Sequence, residues 1–346
     1  MNVIDILEMI DSEELGEERQ VISRSYLRDV QDPFQLLNEN EFTQRYRFSK
    51  DSVLILLDII KNDTGMVVRK HSLPPILQLL TALRFFACGH FQMTDGDLMG
   101  MSRHTARRSI HRVATCFAKQ KRKFIDFLGQ DLSKVKQNFF NVAGFPSVIG
   151  AIDCTHVSIQ SPEGEDAEVF RNRKGYFSIN VQAICDANRV ITNIVARWPE
   201  STHDSRIFAN SIIHDKLERN EVDGYLLGDN GYPCKPYLFT PLLNPTSGKE
   251  NRYNKAHIHT RARIEQCFGI LKQRFRVLQS EMRTRLDNTL TIIVAVACLH
   301  NFAMKTNQPL EHDLAIATSD DTEPSQQIQS SQAGHLARAN IIDQYF

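Results

Sequence analysis

The sequence predicts an α/β protein: an all-helical region over residues 1–143, a mixed sheet flanked by helices over residues 144–304, and an acidic, largely disordered tail over residues 305–346. Three observations predict it. Apolar residues recur at helical spacing up to Gly144, where the pattern changes to short β-type runs separated by turn residues. Apolar stripes at helical spacing return after the strands, as expected when helices cover a sheet. From Leu310 to His335 the chain is rich in Asp, Ser, Gln and Thr, too polar to build a core.

In the first region, Ser49 and Asp51 are capping candidates for a helix with the stripe Val53, Ile55, Leu56, Leu57, Ile59 and Ile60. Pro74 and Pro75 open a second helix that carries Ile76, Leu79, Leu80, Leu83, Phe86 and Ala87 and is ended by Gly89. Thr94 caps a short helix through Met99, Gly100 breaks it, and Ser102 caps another running past Arg112. This outline, near 94–113, is a helix-turn-helix-like unit. Its last helix would present Arg103, His104, Arg107, Arg108 and Arg112 on an exposed side, leaving Ala106, Ile110 and Val113 to face the core.

In the second region, Ser147–Ile152 reads as a buried strand ending at Asp153, continued by Val157–Ile159. Phe177–Cys185 and Val190–Trp198 flank the turn Asp186-Ala-Asn-Arg189 and read as an antiparallel hairpin. His203 and Asp204 open a helix, and the strand Gly224–Gly228 stops at Asp229. After a Pro-rich stretch, a long helix is expected to start near His259 or Thr260 and to reach Leu278, with Ile264, Cys267, Phe268, Leu271 and Phe275 on one face. A helix over Leu290–Met304 closes the region.

Composition narrows the function classes. The chain has 346 residues, 42% hydrophobic and 24% charged, in the range of a globular protein with a sizeable core. Its longest largely apolar run, Leu290–Leu299, falls short of the roughly 20 residues a bilayer requires, so no membrane span is expected. The N-terminal residues lack a basic start and a long apolar stretch, and location inside the cell is expected. The 7 cysteines are scattered with no CxxC pair, which predicts reduced thiols rather than zinc or redox chemistry. The net charge of zero hides a segregation: residues 101–140 carry 10 basic against 2 acidic side chains and residues 251–290 carry 9 against 3, while both ends are acidic. Two basic blocks can attract phosphate whatever the total charge. The run Lys119, Lys121, Arg122, Lys123 is a nuclear-import candidate, so nucleus and cytoplasm are the expected locations.

Three acids sit where phosphoryl-transfer chemistry wants them. Asp153 and Asp229 end strands; if those strands are parallel neighbours, their carboxylates emerge together at one rim of the sheet. Glu265, read as one turn into a basic helix, can reach across that rim. Three carboxylates can share two hard divalent cations, Mg²⁺ or Mn²⁺, that activate water and stabilise a leaving oxygen. Singly, each acid is explained as a cap or turn residue. Asp204, at a helix start, is explained by capping unless the His203-Asp204-Ser205 context after Trp198-Pro199 is given weight.

At this point the chain resembles the PIF/Harbinger transposases, and especially the nucleases derived from Harbinger transposases. The resemblance is carried by Gly150-Ala-Ile-Asp153-Cys-Thr-His156, Asn172-Arg-Lys-Gly175, Ser178-Ile-Asn180, Trp198-Pro199 with His203-Asp204-Ser205, and Leu227-Gly-Asp229 with Tyr232. It continues through Arg252-Tyr-Asn254 with Ala256-His257, Ile264-Glu265 with Phe268, and Cys298-Leu-His-Asn301. It is strong from Phe145 to Met304 and looser before. It implies an RNase H-like DDE nuclease domain with divalent-metal positions at Asp153, Asp204, Asp229 and Glu265, none of them substituted. It also implies a separate Myb/SANT-like DNA-binding partner protein.

The resulting expectation is a transposase-derived, metal-dependent DNA endonuclease with Asp153, Asp229 and Glu265 catalytic and Asp204 supporting them. The rival is a catalytically silent DNA- or chromatin-binding scaffold retaining the fold; an exonuclease on the same core is a third reading. Arg103, Arg107 and Arg108 are expected DNA contacts, and the basic group on the Glu265 helix, Arg261, Arg263, Lys272, Arg274 and Arg276, is read as gripping phosphate, with Lys272 and Arg274 as its expected DNA contacts. Arg171, Arg173 and Lys174 are read instead as partners of nearby carboxylates, and His156 and His203 are left outside the catalytic set. Trp198 is read as packing. A homo-oligomer is left open.

Overall fold

Helices begin where the sequence supplies caps. The computed structural model describes residues 32–61, 73–89, 101–162, 165–172, 175–309 and 330–346. After a short helix α1 (Pro33–Leu36), α2 (Glu39–Tyr46) is fixed by a capping box, Asn38 and Glu41 each satisfying the other's backbone amide. The predicted first stripe is α3 (Lys50–Lys61), and Pro75 opens α4 (Pro75–Cys88), which Gly89 ends in a left-handed conformation. The Ser102 cap starts α5 (Arg103–Lys119), followed by α6 (Lys121–Phe124) and α7 (Leu132–Ala143). The first helix expected for the helix-turn-helix-like unit, Thr94–Met99, lies outside the described residues.

The sheet is five-stranded, in the order β3-β2-β1-β4-β5. Its strands are β1 (Val148–Ile159), β2 (Phe177–Cys185), β3 (Ile191–Pro199), β4 (Tyr225–Leu227) and β5 (Leu238–Phe239), with α8 (Asp204–Ala209) and α9 (Ile212–Glu218) between β3 and β4. The hairpin is formed as expected: β1 pairs antiparallel with β2 and β2 with β3. Its turn is tied by Asp186 Oδ1, which accepts the amides of Asn188 and Val190 at 2.8 and 2.9 Å. On the other side, β1 pairs parallel with β4, and β4 with β5. β1 is therefore the central strand. The two short strands expected around Asp153 are one continuous strand, because pairing with β2 runs on to Ile159 after pairing with β4 has stopped at Ala151.

The two faces have separate cores. On one, Ala151, Val157, Val181, Ala183 and Cys185 pack against Ile264, Cys267 and Leu271 of α10 (Gly248–Arg274) and against α11 (Leu286–Lys305). On the other, Ile152, Ile184 and Leu226 pack with Phe208, Ile213 and Tyr232. Two boundaries differ from expectation. α10 starts at Gly248, eleven residues before His259, because Ser247 and Glu250 form a capping box. The chain end is not uniformly irregular: α12 (Gln332–Tyr345) is helical and buries Ile341 and Ile342 against Tyr253 and Phe239, although much of the expected tail lies outside the described residues.

The division expected at 143/144 is not a division of the core. One hydrophobic cluster holds Phe42, Leu56, Leu83, Val113 and Phe117 together with Ala151, Ile264 and Leu299. The inner faces of the leading helices find their partners in α11 and thus share a core with the sheet. By length and composition α11 would suffice to cross a bilayer, yet most of it is buried inside this core, Ala295, Val296, Ala297, Cys298 and Leu299 completely.

Candidate active site

Strand register brings the first two acids together. Ala151 of β1 is the register partner of Leu227 of β4, and Asp153 and Asp229 each follow two residues later. Side chains alternate with a period of two, so both carboxylates leave the sheet on the Ala151 side at the same rim. Asp153 is thus not at the end of its own strand but at the end of the part paired to β4. Its Oδ1 accepts the Cys154 amide at 2.8 Å. Asp229 is fixed by the turn it starts: its Oδ1 accepts the Gly231 amide at 2.9 Å. A Cβ at residue 231 would stand 3.0 Å from that same oxygen, so glycine leaves the carboxylate its place.

Glu265 comes from α10, which packs on β1 and β2. It lies in the middle of a 27-residue helix rather than one turn into it. The link to Asp153 runs through Arg261: Nη1 donates to Asp153 Oδ2 at 3.0 Å and Nη2 donates to Glu265 Oε1. Asp204, the first residue of α8, stands apart. Its Oδ1 accepts from Asn180 Nδ2 at 2.9 Å, and its backbone carbonyl accepts from Gln182 Nε2 at 3.1 Å. Asn180 and Gln182 are register partners of His156 and Cys154, which alternation places on the face opposite Asp153. Gln182 also donates to Tyr232 OH at 3.0 Å.

The electrostatics show a centre short of positive charge. Burial is the main cause that pushes the Asp153 carboxyl up to about 7; the charge of Asp229 adds to it and Arg261 opposes it, with a smaller push from Asp204. The Asp229 carboxyl is also raised, chiefly by burial, with Arg261 pulling it down and Asp204 pushing it up. The charges of Asp229 and Asp204 act on Asp153 and that of Asp204 on Asp229, yet among the described residues no three His, Cys, Asp or Glu side chains come together closely enough to cage a metal ion. A guanidinium stands between Asp153 and Glu265, and Asp204 approaches over the other face.

The basic candidates separate into three groups. Arg103, Arg107 and Arg108 are exposed on α5, with Arg108 in contact with His104 at 2.9 Å. Lys272 is half-buried, lowered in pKa by burial, and donates to the His156 carbonyl at 3.0 Å. Arg274 is not available to DNA, contrary to expectation. It is 2% exposed and donates to the carbonyls of Arg47, Gln308 and Pro309 at 3.0, 2.9 and 3.3 Å. Its place in the last turn of α10 points it into the protein, where it holds two loop segments together. Arg171 pairs with Glu168 at 2.7 Å, as its reading as a carboxylate partner predicts, while Arg173 and Lys174 lie outside the described residues.

His156 is engaged by an acid that is not a site candidate: Nδ1 is 2.8 Å from Glu200, which also accepts from Ser178 Oγ. His203 stands at the N-cap position of α8 without a side-chain capping bond and is exposed. Trp198 is half-buried beside Arg197, whose guanidinium carbon is 5.7 Å from the ring centre. Sequence reasoning missed the roles of Asn180 and Gln182, and it read Arg261 as a phosphate contact where the structure bonds it to Asp153 and Glu265. The first two were visible as polar residues alternating inside a strand otherwise apolar, and Arg261 as a cation four residues before Glu265 on a helix.

A mixed five-stranded sheet flanked by helices, with two aspartates at one rim and a glutamate on the covering helix, defines a nuclease domain of the DDE type, RNase H-like in fold. Comparison agrees: a family described as DDE superfamily endonuclease matches residues 152–301. The chain is 30% identical over 333 residues to the Homo sapiens protein named "Putative nuclease HARBI1", covering 94% of this chain and 91% of that one. The Bos taurus protein of the same name gives the same identity and coverage. "Protein ALP1-like" of Arabidopsis thaliana is 28% identical over 267 residues, 72% of this chain and 64% of its own. The chain belongs to the family of Harbinger transposase-derived nucleases. No solved structure matches it.

Proposed function

We propose that the protein is a divalent-metal-dependent DNA endonuclease of transposase descent. The observation that carries the reading is the parallel register of Ala151 with Leu227, which sets Asp153 and Asp229 at one rim beneath the helix that carries Glu265. The donor set fits hard cations: every candidate ligand is a carboxylate, and the raised Asp153 and Asp229 carboxyls mark a site that gains from added positive charge. Arg261, bonded to both Asp153 and Glu265, stands where such charge is wanted. Asp153, Asp229 and Glu265 would hold the metal, with Asp204, whose charge acts on both aspartates, supporting them from the start of α8. When bound, a pair of Mg²⁺ or Mn²⁺ ions supplies Lewis-acid stabilisation of in-line displacement at phosphorus.

The chain's own residues do the rest. Asn180 orients Asp204, and the turn through Gly231 orients Asp229. The exposed arginines of α5 offer phosphate contacts, and hydrolysis by water would leave a 3′-hydroxyl and a 5′-phosphate. The same reading assigns the protein to nucleus and cytoplasm, with Lys119–Lys123 as the import segment and a Myb/SANT-like protein supplying target recognition. Tagged protein confined to the cytoplasm until such a partner is co-expressed would assign import to the partner.

The test is nicking of supercoiled plasmid by the purified chain in Mg²⁺ or Mn²⁺, beside Asp153→Asn and an EDTA control. Nicking that needs the metal and disappears in the variant is expected. DNA binding without any cleavage, equal in both proteins, would leave only a scaffold.

A further inference from the structure

The acidic centre carries its own cation. Arg261 lies one helical turn before Glu265, so its guanidinium falls beside that carboxylate, while the packing of α10 on β1 brings its other arm to Asp153. Arg261 and Asp153 are each only 17% exposed, so this is not a surface pair weakened by water and salt. The planar fork of a guanidinium can bond two carboxylates from different elements at once, which a lysine ammonium on a flexible stem does less well. Asp229, two residues beyond β4, also feels the Arg261 charge.

A guanidinium and a divalent ion ask the same thing of these carboxylates. Both draw on their oxygen lone pairs and both neutralise their charge. Asp153 Oδ2 and Glu265 Oε1 cannot serve the two in full at the same time, and a guanidinium in place repels an approaching cation.

We propose that Arg261 is a positioning residue that acts as a built-in counter-cation, holding Asp153 and Glu265 together without metal and competing with the divalent ion for their oxygens. The proposal rests on the reading of these acids as metal ligands, and it makes their occupancy depend on a residue that is not a ligand. Loading the centre requires the guanidinium to leave at least one carboxylate. Once displaced, it stands beside the centre as a two-pronged donor for a phosphate oxygen.

The experiment is calorimetric titration of Mg²⁺ into the full chain at pH 8.0, without DNA, for wild type, Arg261→Gln and Arg261→Lys, with the metal-free melting temperature of each. Removing the competitor should tighten Mg²⁺ binding by roughly tenfold or more in Arg261→Gln, with Arg261→Lys between it and wild type. Metal-free Arg261→Gln should melt below wild type, and saturating Mg²⁺ should narrow that gap. Equal or weaker Mg²⁺ binding by natively folded Arg261→Gln would overturn the proposal while leaving the metal reading intact. If that variant does not fold without metal, Arg261→Lys decides, and Mg²⁺ binding no tighter than wild type overturns the proposal. Absence of Mg²⁺ binding in wild type and variants alike overturns the metal reading itself, and the proposal with it.

Discussion

At Asp153, burial and the charge of Asp229 raise the carboxyl to about 7 against the pull of Arg261. A raised acid costs stability when it ionises. At low pH the group is neutral in both folded and unfolded chains and costs nothing. As pH rises above the ordinary carboxylate value, the unfolded chain releases its proton first, and the folded protein loses stability until it too is ionised, near 7. Above that point the whole cost, of the order of a few kcal/mol, is in place. Urea unfolding of metal-free protein should therefore show Asp153→Asn more stable than wild type at pH 8, the gap shrinking as pH falls towards 4. A gap that does not change with pH would refute this account. Asp229 was legible because the short apolar strand β4 stops just before it, and Asp153 because the apolar run paired with β4 stops there, although β1 itself runs on to Ile159. Arg261 and Arg274 were less so: a lone sequence does not say which basic residues face inward, and Arg274 faces three backbone carbonyls.

Elements were legible where one physical signal dominated. The hairpin β2–β3 and the start of α8 were placed to within a residue because turn and capping residues bracket them. The start of α10 was not, although Ser247-x-x-Glu250 is a capping box, because its first three turns are largely polar and give no clear apolar stripe. α12 was missed for a related reason: it follows a polar stretch and its stability comes from docking rather than periodicity. Arg338 donates to the Thr240 and Pro241 carbonyls at 3.0 and 3.4 Å, Ile341 and Ile342 are buried, and Arg252 donates to the carbonyl of Phe346. This helix packs on β5, the edge strand of the sheet. Deleting residues 332–346 should cost about 3–5 kcal/mol through lost apolar burial and unpaired carbonyls. It should also promote self-association by uncovering the edge, and light scattering at rising protein concentration would show it. A truncated chain with the wild-type urea midpoint would mean that the docking contributes nothing.

Across the whole molecule, the common core that joins the leading helices to the sheet places α5 and the acidic rim on one body, Asp32–Phe346. Charge is distributed unevenly: the chain is neutral overall, while the exposed side of α5 carries Arg103, Arg107 and Arg108, with no carboxylate paired to them among the described residues. Exposed, unpaired arginines bind a polyanion mainly by releasing its counterions, and each phosphate contact contributes about 0.9 to the log–log salt slope for duplex DNA. Replacing all three with alanine should weaken binding to any duplex and make the slope shallower by roughly 2–3. The folding transition should barely move, because none of the three side chains is buried. Arg274→Ala should do the reverse, lowering the urea midpoint through lost carbonyl bonds while leaving the salt slope of folded protein unchanged. If the triple variant keeps the wild-type slope, α5 is a structural helix with a solvated basic face, and the proposal that it contacts DNA falls.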